Sequence, residues 1–396
     1  MSADPVVIVG GARTPIGSFQ GALSSFTASQ LGGTAIAAAL DRAGVERSAV
    51  DEVIMGCVLP AGQGQAPARQ AGFHAGLTDS VPATTVNKMC GSGMKAVMLA
   101  MDQLLAGNAE VIVAGGMESM SNAPYLLPKM RSGARMGETA AQDHMFLDGL
   151  QDAYEEGRLM GSFAEDCAEK YQLTRQAQDD YALQSLSRAQ QAQAEGRFAD
   201  EIVTMTVSTR KGEVQVSADE QPERAMPEKI PHLKPAFKPD GTVTAANASS
   251  ISDGAAALVL MRESTAKARG LTIRARLGSY GTHAQEPGWF TTAPIGAIKQ
   301  ALKRSDLTVE DVDLWEINEA FAVVPMAAAH ELALDAGRLN VRGGACAVGH
   351  PIGASGARII VTLLHAMEAE NAETGVAALC IGGGEGTALT LHRAVR

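Results

Sequence analysis

The sequence predicts an α/β protein made of two copies of one unit, with a mainly parallel sheet covered by helices on both faces. Three observations carry this. Short apolar strands alternate with amphipathic helical patterns, as in βαβ units. After Gly270 the chain repeats itself, at a period far too long for a solenoid. Between 121 and 250 the alternation lapses, which marks an inserted lobe. The expected division is 1–120 plus 251–270 as the first half, 121–250 as the insertion and 271–396 as the second half.

Composition narrows the function classes. The 396 residues are 46% apolar but only 4% aromatic and include 42 glycines, the profile of a close-packed α/β protein with tight strand-to-helix turns. A formal charge of −11 with no Lys/Arg-rich run argues against nucleic acid as a partner. No apolar run approaches the roughly 20 residues of a membrane span, and MSADPVVIVGG lacks the regions of a secretory signal, so a soluble cytoplasmic protein is expected. Cys57, Cys90, Cys167, Cys346 and Cys380 are scattered and never in C-x-x-C spacing, so neither structural disulfides nor a zinc site is expected.

In order, Val6 to Val9 reads as a buried strand followed by the Gly/Pro loop GGARTPIG. Positions 27–43 carry a helical pattern, Val53 to Met55 a second strand, and 62–76 a glycine-interrupted loop and helix. Ala83 to Val86 then delivers Cys90 to a tight Gly-Ser-Gly turn that opens an amphipathic helix ending near Gly107. Free N–H groups and the positive end of the helix dipole favour an anion there, so Cys90 can ionise below its usual pKa; the other reading is a small buried hydrophobe. A third strand, Val111 to Ala114, ends in Gly115-Gly116. Within the insertion, Ser162-x-x-Glu165 fits a capping box, Thr174 to Glu195 makes a long amphipathic pattern, and a Pro/Lys-rich run closes 204–240.

The repeat aligns 38–56 with 300–318 without a gap, so that Leu40 meets Leu302, Val50 meets Val312 and Asp51 meets Asp313. Ser92-Gly93-Met94-Lys95 falls on Ser355-Gly356-Ala357-Arg358, each opening a helix, and Gly115-Gly116-Met117-Glu118 resembles Gly382-Gly383-Gly384-Glu385 in context. Paired halves bring equivalent helix N-termini together at a pseudo-twofold axis, which predicts a site in the cleft between the copies.

Three stretches of the second half carry unusual residue choices at strand-to-helix junctions. NEAFA (318–322) follows an apolar strand from Leu314 to Ile317, GGACAVGHPIGASGAR (343–358) is a glycine-rich loop holding His350, and CIGGGEG (380–386) follows a strand from Val376 to Leu379. Each has a purely structural reading: His350 a hydrogen-bonded loop residue, Asn318 a helix cap, Cys380 the end of a buried strand, and 382–384 a packing turn. Together they match one reaction logic. A thiol nucleophile, an imidazole to take its proton, a second thiol for another proton, and amide and backbone N–H groups for oxyanions serve acyl transfer. Neither G-x-x-x-x-G-K-[ST] nor a dinucleotide fingerprint is present, so the glycines do not point to phosphate binding.

Over essentially its full length the sequence resembles the thiolase family. Cys90 in NKMCGSGMKA, Asn318 in NEAFA, His350 in GHPIGASGAR and Cys380 in CIGGGEG match the family's catalytic blocks in order and spacing. GTVTAANASSISDGAAALVLM and LWEINEAFAVV look most like acetoacetyl-CoA thiolases. The resemblance implies duplicated βαβαβαββ halves in a five-layered α-β-α-β-α core with an inserted helix-rich loop domain over CoA. It implies that Cys90, activated by His350, becomes acylated, and that Cys380 deprotonates a second acetyl-CoA for Claisen condensation to acetoacetyl-CoA plus CoA. The enolate oxygen is then held by His350 and an Asn318-bound water, and the acyl-enzyme oxygen by the N–H groups of Cys90 and Gly382. It further implies that Leu150, Met160 and Phe237 line the pantetheine, that Ser249 bonds it, and that Ala320 and Phe321 wall the thioester. CoA thioesters are substrates, no metal or redox cofactor is needed, and the assembly is a homodimer or, more specifically, a homotetramer built from dimers. The alternative within the family is a degradative 3-ketoacyl-CoA thiolase of broader chain length, as in fatty acid β-oxidation. Two departures bear on this: Leu159 stands where many members have His, and WFTTAP (289–294) where many read MGIGP.

Overall fold

The computed structural model describes residues 4–394. The first half contains strands β1 (Val6–Arg13), β2 (Glu52–Gly56), β3 (Ala83–Val86), β4 (Val111–Ser119) and β5 (Ser252–Arg262), with helices α1 (Ala28–Ala43), α2 (Pro67–His74) and α3 (Ser92–Ala106). The segment between β4 and β5 carries α4 (Met160–Lys170) and α5 (Arg175–Ala194). The second half contains β6 (Ala275–Ala284), α6 (Ala293–Ser305), β7 (Leu314–Ile317), α7 (Val323–Leu332), α8 (Ser355–Glu370), β8 (Thr374–Ile381) and β9 (Glu385–Arg393).

The strands run in the order β3-β2-β4-β5-β1 in one half and β7-β8-β9-β6 in the other. Among the described residues the two halves' strands join where Val7 and Ile8 of β1 pair with Arg276 and Ala275 of β6. In each half one strand, β5 or β9, runs against its neighbours and the rest are parallel, as expected. The place of β3 is taken in the second half by a single parallel bridge from Leu339 to Trp315.

Alternation along the strands builds the layers. Val7, Val53, Val113 and Val259 face α1 and α2, while Ile8, Ile54, Ile112 and Leu258 face the middle. There α3 and α8 fill the space against Ala377 and Leu379, whose neighbours Val376 and Ala378 face α6 and α7. Helix, sheet, helix pair, sheet and helix make five layers. Each buried Val, Leu or Ile in them contributes about 1.5–3 kcal/mol relative to exposure.

The repeat read from sequence has physical content. Asp51 accepts the N–H groups of Glu110 and Val111 at 2.8 Å each, and Asp313 accepts those of Glu373 and Thr374 at 2.8 and 3.0 Å. Gly93 and Gly356, the second residues of α3 and α8, abut each other's helix: a Cβ on Gly93 would lie 2.7 Å from the Ala357 nitrogen, and one on Gly356 would collide with Met94. One pairing is corrected. Gly115 to Glu118 lie inside β4, whereas Gly382 to Gly384 form the turn after β8, so these glycines are not structural equivalents.

The segment between β4 and β5 is pinned by buried carboxylates. Arg13 of β1 binds Glu201 at 2.6 Å and Asp219 at 2.7 Å, and Glu220 accepts the N–H groups of Ser18 and Ala22. Thr174 caps α5 through the Ala177 N–H. The capping box expected at Ser162 is absent, because α4 begins at Met160 and Glu165 instead accepts the N–H groups of Thr242 and Val243. Among the described residues no helix is long and apolar enough to cross a membrane.

Candidate active site

The nucleophile turn is strained by construction. β3 ends at Val86, Asn87 Oδ1 accepts the Met89 N–H at 2.9 Å, and Met89 takes a positive φ of 46° before the chain enters α3. Ser92 locks the turn, its Oγ accepting the Lys88 N–H at 2.8 Å and donating to the Met89 carbonyl at 2.6 Å. Gly91 packs on Ile381 of the other half so closely that a Cβ would force the Ile381 side chain to shift.

This turn holds Cys90 Sγ near its own N–H and that of Gly382, in the turn where Gly383 and Gly384 have φ of 91° and 84°. Two backbone donors therefore converge on the sulfur. Even so, burial pushes the thiol up to about 11, with Glu118 adding in the same direction. The expectation of a lowered pKa is thus corrected: loss of solvation outweighs the donors and the helix end. Cys380, fully buried near the end of β8, is raised well above the ordinary thiol value by burial and by the neighbouring Cys90.

His350 sits between Gly349, whose φ is 108°, and Pro351. Its Nδ1 lies 2.6 Å from Ser355 Oγ, which donates to the Pro351 carbonyl at 3.0 Å and so accepts from Nδ1–H. That leaves the Nε2 lone pair buried and unpartnered within the protein. Burial and the Arg358 charge push the imidazole down to about 3, so it is a neutral base at rest. Asn318 is no helix cap, since α7 begins at Val323; its side chain lies between His350 and Arg358.

Cys90, His350 and Gly382 meet at a cavity of about 390 Å³. Leu150, Met160, Phe237, Ser249, Ala320 and Phe321 all line it, with Phe237 edge-on to Phe321 at 6.1 Å. Ser249 Oγ donates to the Ala320 carbonyl at 2.8 Å. Asn318 and Cys380 lie behind the lining, 1% and 0% exposed. Leu159 and Phe290 are also in the wall, the latter edge-on to Phe163 at 6.2 Å. A second cavity of about 370 Å³ shares Ala245 with the first and carries Arg224 and Lys229.

Four supporting residues went unread in the sequence. Ser355 holds the imidazole and Arg358 the amide. Glu118 accepts the N–H groups of Val58, Leu59 and Gly353, tying the His350 loop to the first half, and burial pushes its carboxyl up to about 7. Glu319 accepts from Tyr181, Ser185, Asn340 and the Cys346 N–H. The only signal for them was their place inside the same motifs.

A neutral thiol, a base with a free lone pair, two converging N–H groups and a second buried thiol equip the site for acyl transfer. Residues 6–264 match the thiolase N-terminal domain and 271–393 the thiolase C-terminal domain. The chain is 50% identical over 390 residues to the acetyl-CoA acetyltransferase of Cupriavidus necator, covering 98% of this chain and 99% of that protein. It is 51% identical to that of Pseudomonas aeruginosa, with the same coverage, and 51% to acetyl-CoA acetyltransferase 2 of Arabidopsis thaliana, over 98% of this chain and 96% of that one. The chain belongs to the thiolase family.

Proposed function

We propose that the protein is an acetyl-CoA acetyltransferase that condenses two acetyl-CoA to acetoacetyl-CoA and CoA, reversibly, through an acetyl-Cys90 intermediate. The observation that carries this reading is that the Cys90 thiol, with the Cys90 and Gly382 N–H groups by it, lines the same apolar cavity as His350, whose Nε2 has no partner within the protein.

Cys90 attacks the thioester carbonyl as His350 Nε2 takes the thiol proton. That proton leaves with CoA. His350 Nε2 next takes the Cys380 proton, and the Cys380 thiolate removes an α-proton from the second acetyl-CoA, whose enolate oxygen is held by the now protonated His350 and by a water on Asn318. The carbanion attacks the acetyl carbonyl, and the N–H groups of Cys90 and Gly382 hold the tetrahedral oxyanion until the Cys90 sulfur departs and takes its proton back from His350. Coenzyme A enters as substrate, and no step calls on a redox cofactor.

The segment 121–250 acts as the inserted domain that covers CoA, set within the half 1–120 plus 251–270 and followed by the half 271–396. Leu150, Met160 and Phe237 embrace the pantetheine, Ser249 bonds it, and Ala320 and Phe321 wall the thioester. Arg224 and Lys229, on the adjoining cavity, face the CoA phosphates. The assembly is a homotetramer, a reading supported by the exposed apolar side chains of Tyr125, Leu127, Met130 and Met136 in one run of chain. Five unpaired cysteines suit a reducing cytoplasm.

Cys90→Ser is expected to abolish acyl-enzyme formation, read as loss of the acetyl adduct by mass spectrometry. Cys380→Ser keeps acylation and loses condensation; equal loss of both would contradict the division of labour. The degradative alternative is tested by thiolysis of four- to sixteen-carbon 3-ketoacyl-CoA, where a clear preference for the long substrate would overturn the acetoacetyl reading.

A further inference from the structure

Arg358 is buried, 3% exposed, in the first turn of α8, yet no step above calls on it. One terminal nitrogen donates to Asn318 Oδ1 at 3.3 Å, the other lies 3.6 Å from Glu316 Oε2, and Nε has no partner. A guanidinium only donates. An amide beside it must therefore turn its oxygen toward it, and its NH2 group away. The nearest recorded group on that far side is His350 Nδ1 at 3.5 Å, whose hydrogen is already committed to Ser355 and which therefore cannot accept. Flipping the amide would set NH2 against the guanidinium, donor facing donor. The Asn318 N–H groups are thus left without an acceptor on the His350 side.

We propose that Arg358 is a positioning residue, holding the Asn318 amide in the one orientation that presents its N–H groups to the oxygen of the enolate or of the water that binds it. This rests on the condensing reading above and deepens it. The first half offers a contrast. Lys95 stands, like Arg358, three residues after the shared serine, but it is half-buried. A lysine there would present a compact, strongly hydrated charge in place of a planar fork able to meet an amide and a carboxyl at once.

The environment tolerates the test. Burial pushes the Glu316 carboxyl up to about 8 despite the adjacent cation, so Arg358→Met leaves a neutral acid behind and no stranded carboxylate at pH 7. Two reactions are measured on each variant: exchange of labelled CoA into acetyl-CoA, which needs only acylation, and condensation of acetyl-CoA. Arg358→Met is expected to lower condensation kcat about 10–100-fold, with exchange and the KM for acetyl-CoA within about 3-fold of wild type. Arg358→Lys recovers part of the loss. In an Asn318→Ala background, which has no amide to orient, Arg358→Met costs less than about 3-fold further. Should Arg358→Met fail to fold, R358M/E316Q is measured in the same way.

Equal loss of exchange and condensation, or losses that multiply with Asn318→Ala, would overturn the proposal, since either makes Arg358 a general structural support. A wild-type protein that performs neither reaction overturns the condensing reading, and the proposal with it.

Discussion

The two helix starts at the centre of the molecule, residues 87–92 and 350–355, begin from the same Ser-Gly and end in different chemistry. Ser92 spends both its hydrogen bonds on its own turn, to the Lys88 N–H and the Met89 carbonyl. Ser355 also donates to a carbonyl of its own turn, that of Pro351, but gives the other bond to the His350 ring. One turn bends its backbone, at Met89, to lift a thiol; the other keeps the serine free to aim an imidazole. A duplicated scaffold thus supplies a nucleophile and its base from equivalent turns, though not from equivalent positions, by changing what one hydroxyl holds.

The comparison breaks most severely at the glycines under both turns. Gly93→Ala or Gly356→Ala forces a Cβ into the backbone of the opposite helix and is expected to cost more than about 2 kcal/mol, read as a lowered midpoint in urea. Next in size are the serines themselves. Ser355→Ala frees the imidazole and should lower acylation kcat about 10-fold or more with little change in stability. Ser92→Ala should instead cost about 1 kcal/mol of stability and leave activity within a few-fold, and the reverse pattern would refute the assigned roles. Smaller still is Lys88 with Glu385, the ion pair that joins the nucleophile turn to the Gly382 turn. Removing both charges is expected to cost about 0.2–1 kcal/mol, diminishing at high salt. The least change is expected with pH. With His350 near 3 and Cys90 near 11, both stay neutral between, so kcat/KM for acylation should run flat from about pH 5 to 9, without a histidine inflection near 6.5. An inflection near 7 that vanishes in Glu118→Gln belongs to that carboxyl.

Much of this was legible in the chain. The strands were short β-branched and apolar runs, the repeat was visible in Asp51 and Asp313, and Cys90, Asn318, His350 and Cys380, each with a structural reading of its own, pointed to one chemistry when taken together. What escaped were residues acting through partners far along the chain. Glu319 meets Tyr181 and Ser185, Glu118 meets Gly353, and Glu165 leaves its expected cap to hold Thr242, bonds that no local pattern encodes. The state of Cys90 escaped for a different reason. A helix start and nearby N–H groups are visible in sequence, whereas the solvation a thiol loses depends on what folds over it.

The reciprocal seat of Gly93 and Gly356 has a consequence for the molecule's ancestry and symmetry. Two identical halves docked this way would carry the same residue on both sides of their axis, facing thiol with thiol or glycine with glycine. The place that holds Cys90 in one half, two residues before the serine, holds Gly353 in the other. Joining the halves in one chain lets the axis survive in the packing while it is broken in the chemistry, so that one chain makes one site instead of two mirrored, half-equipped ones.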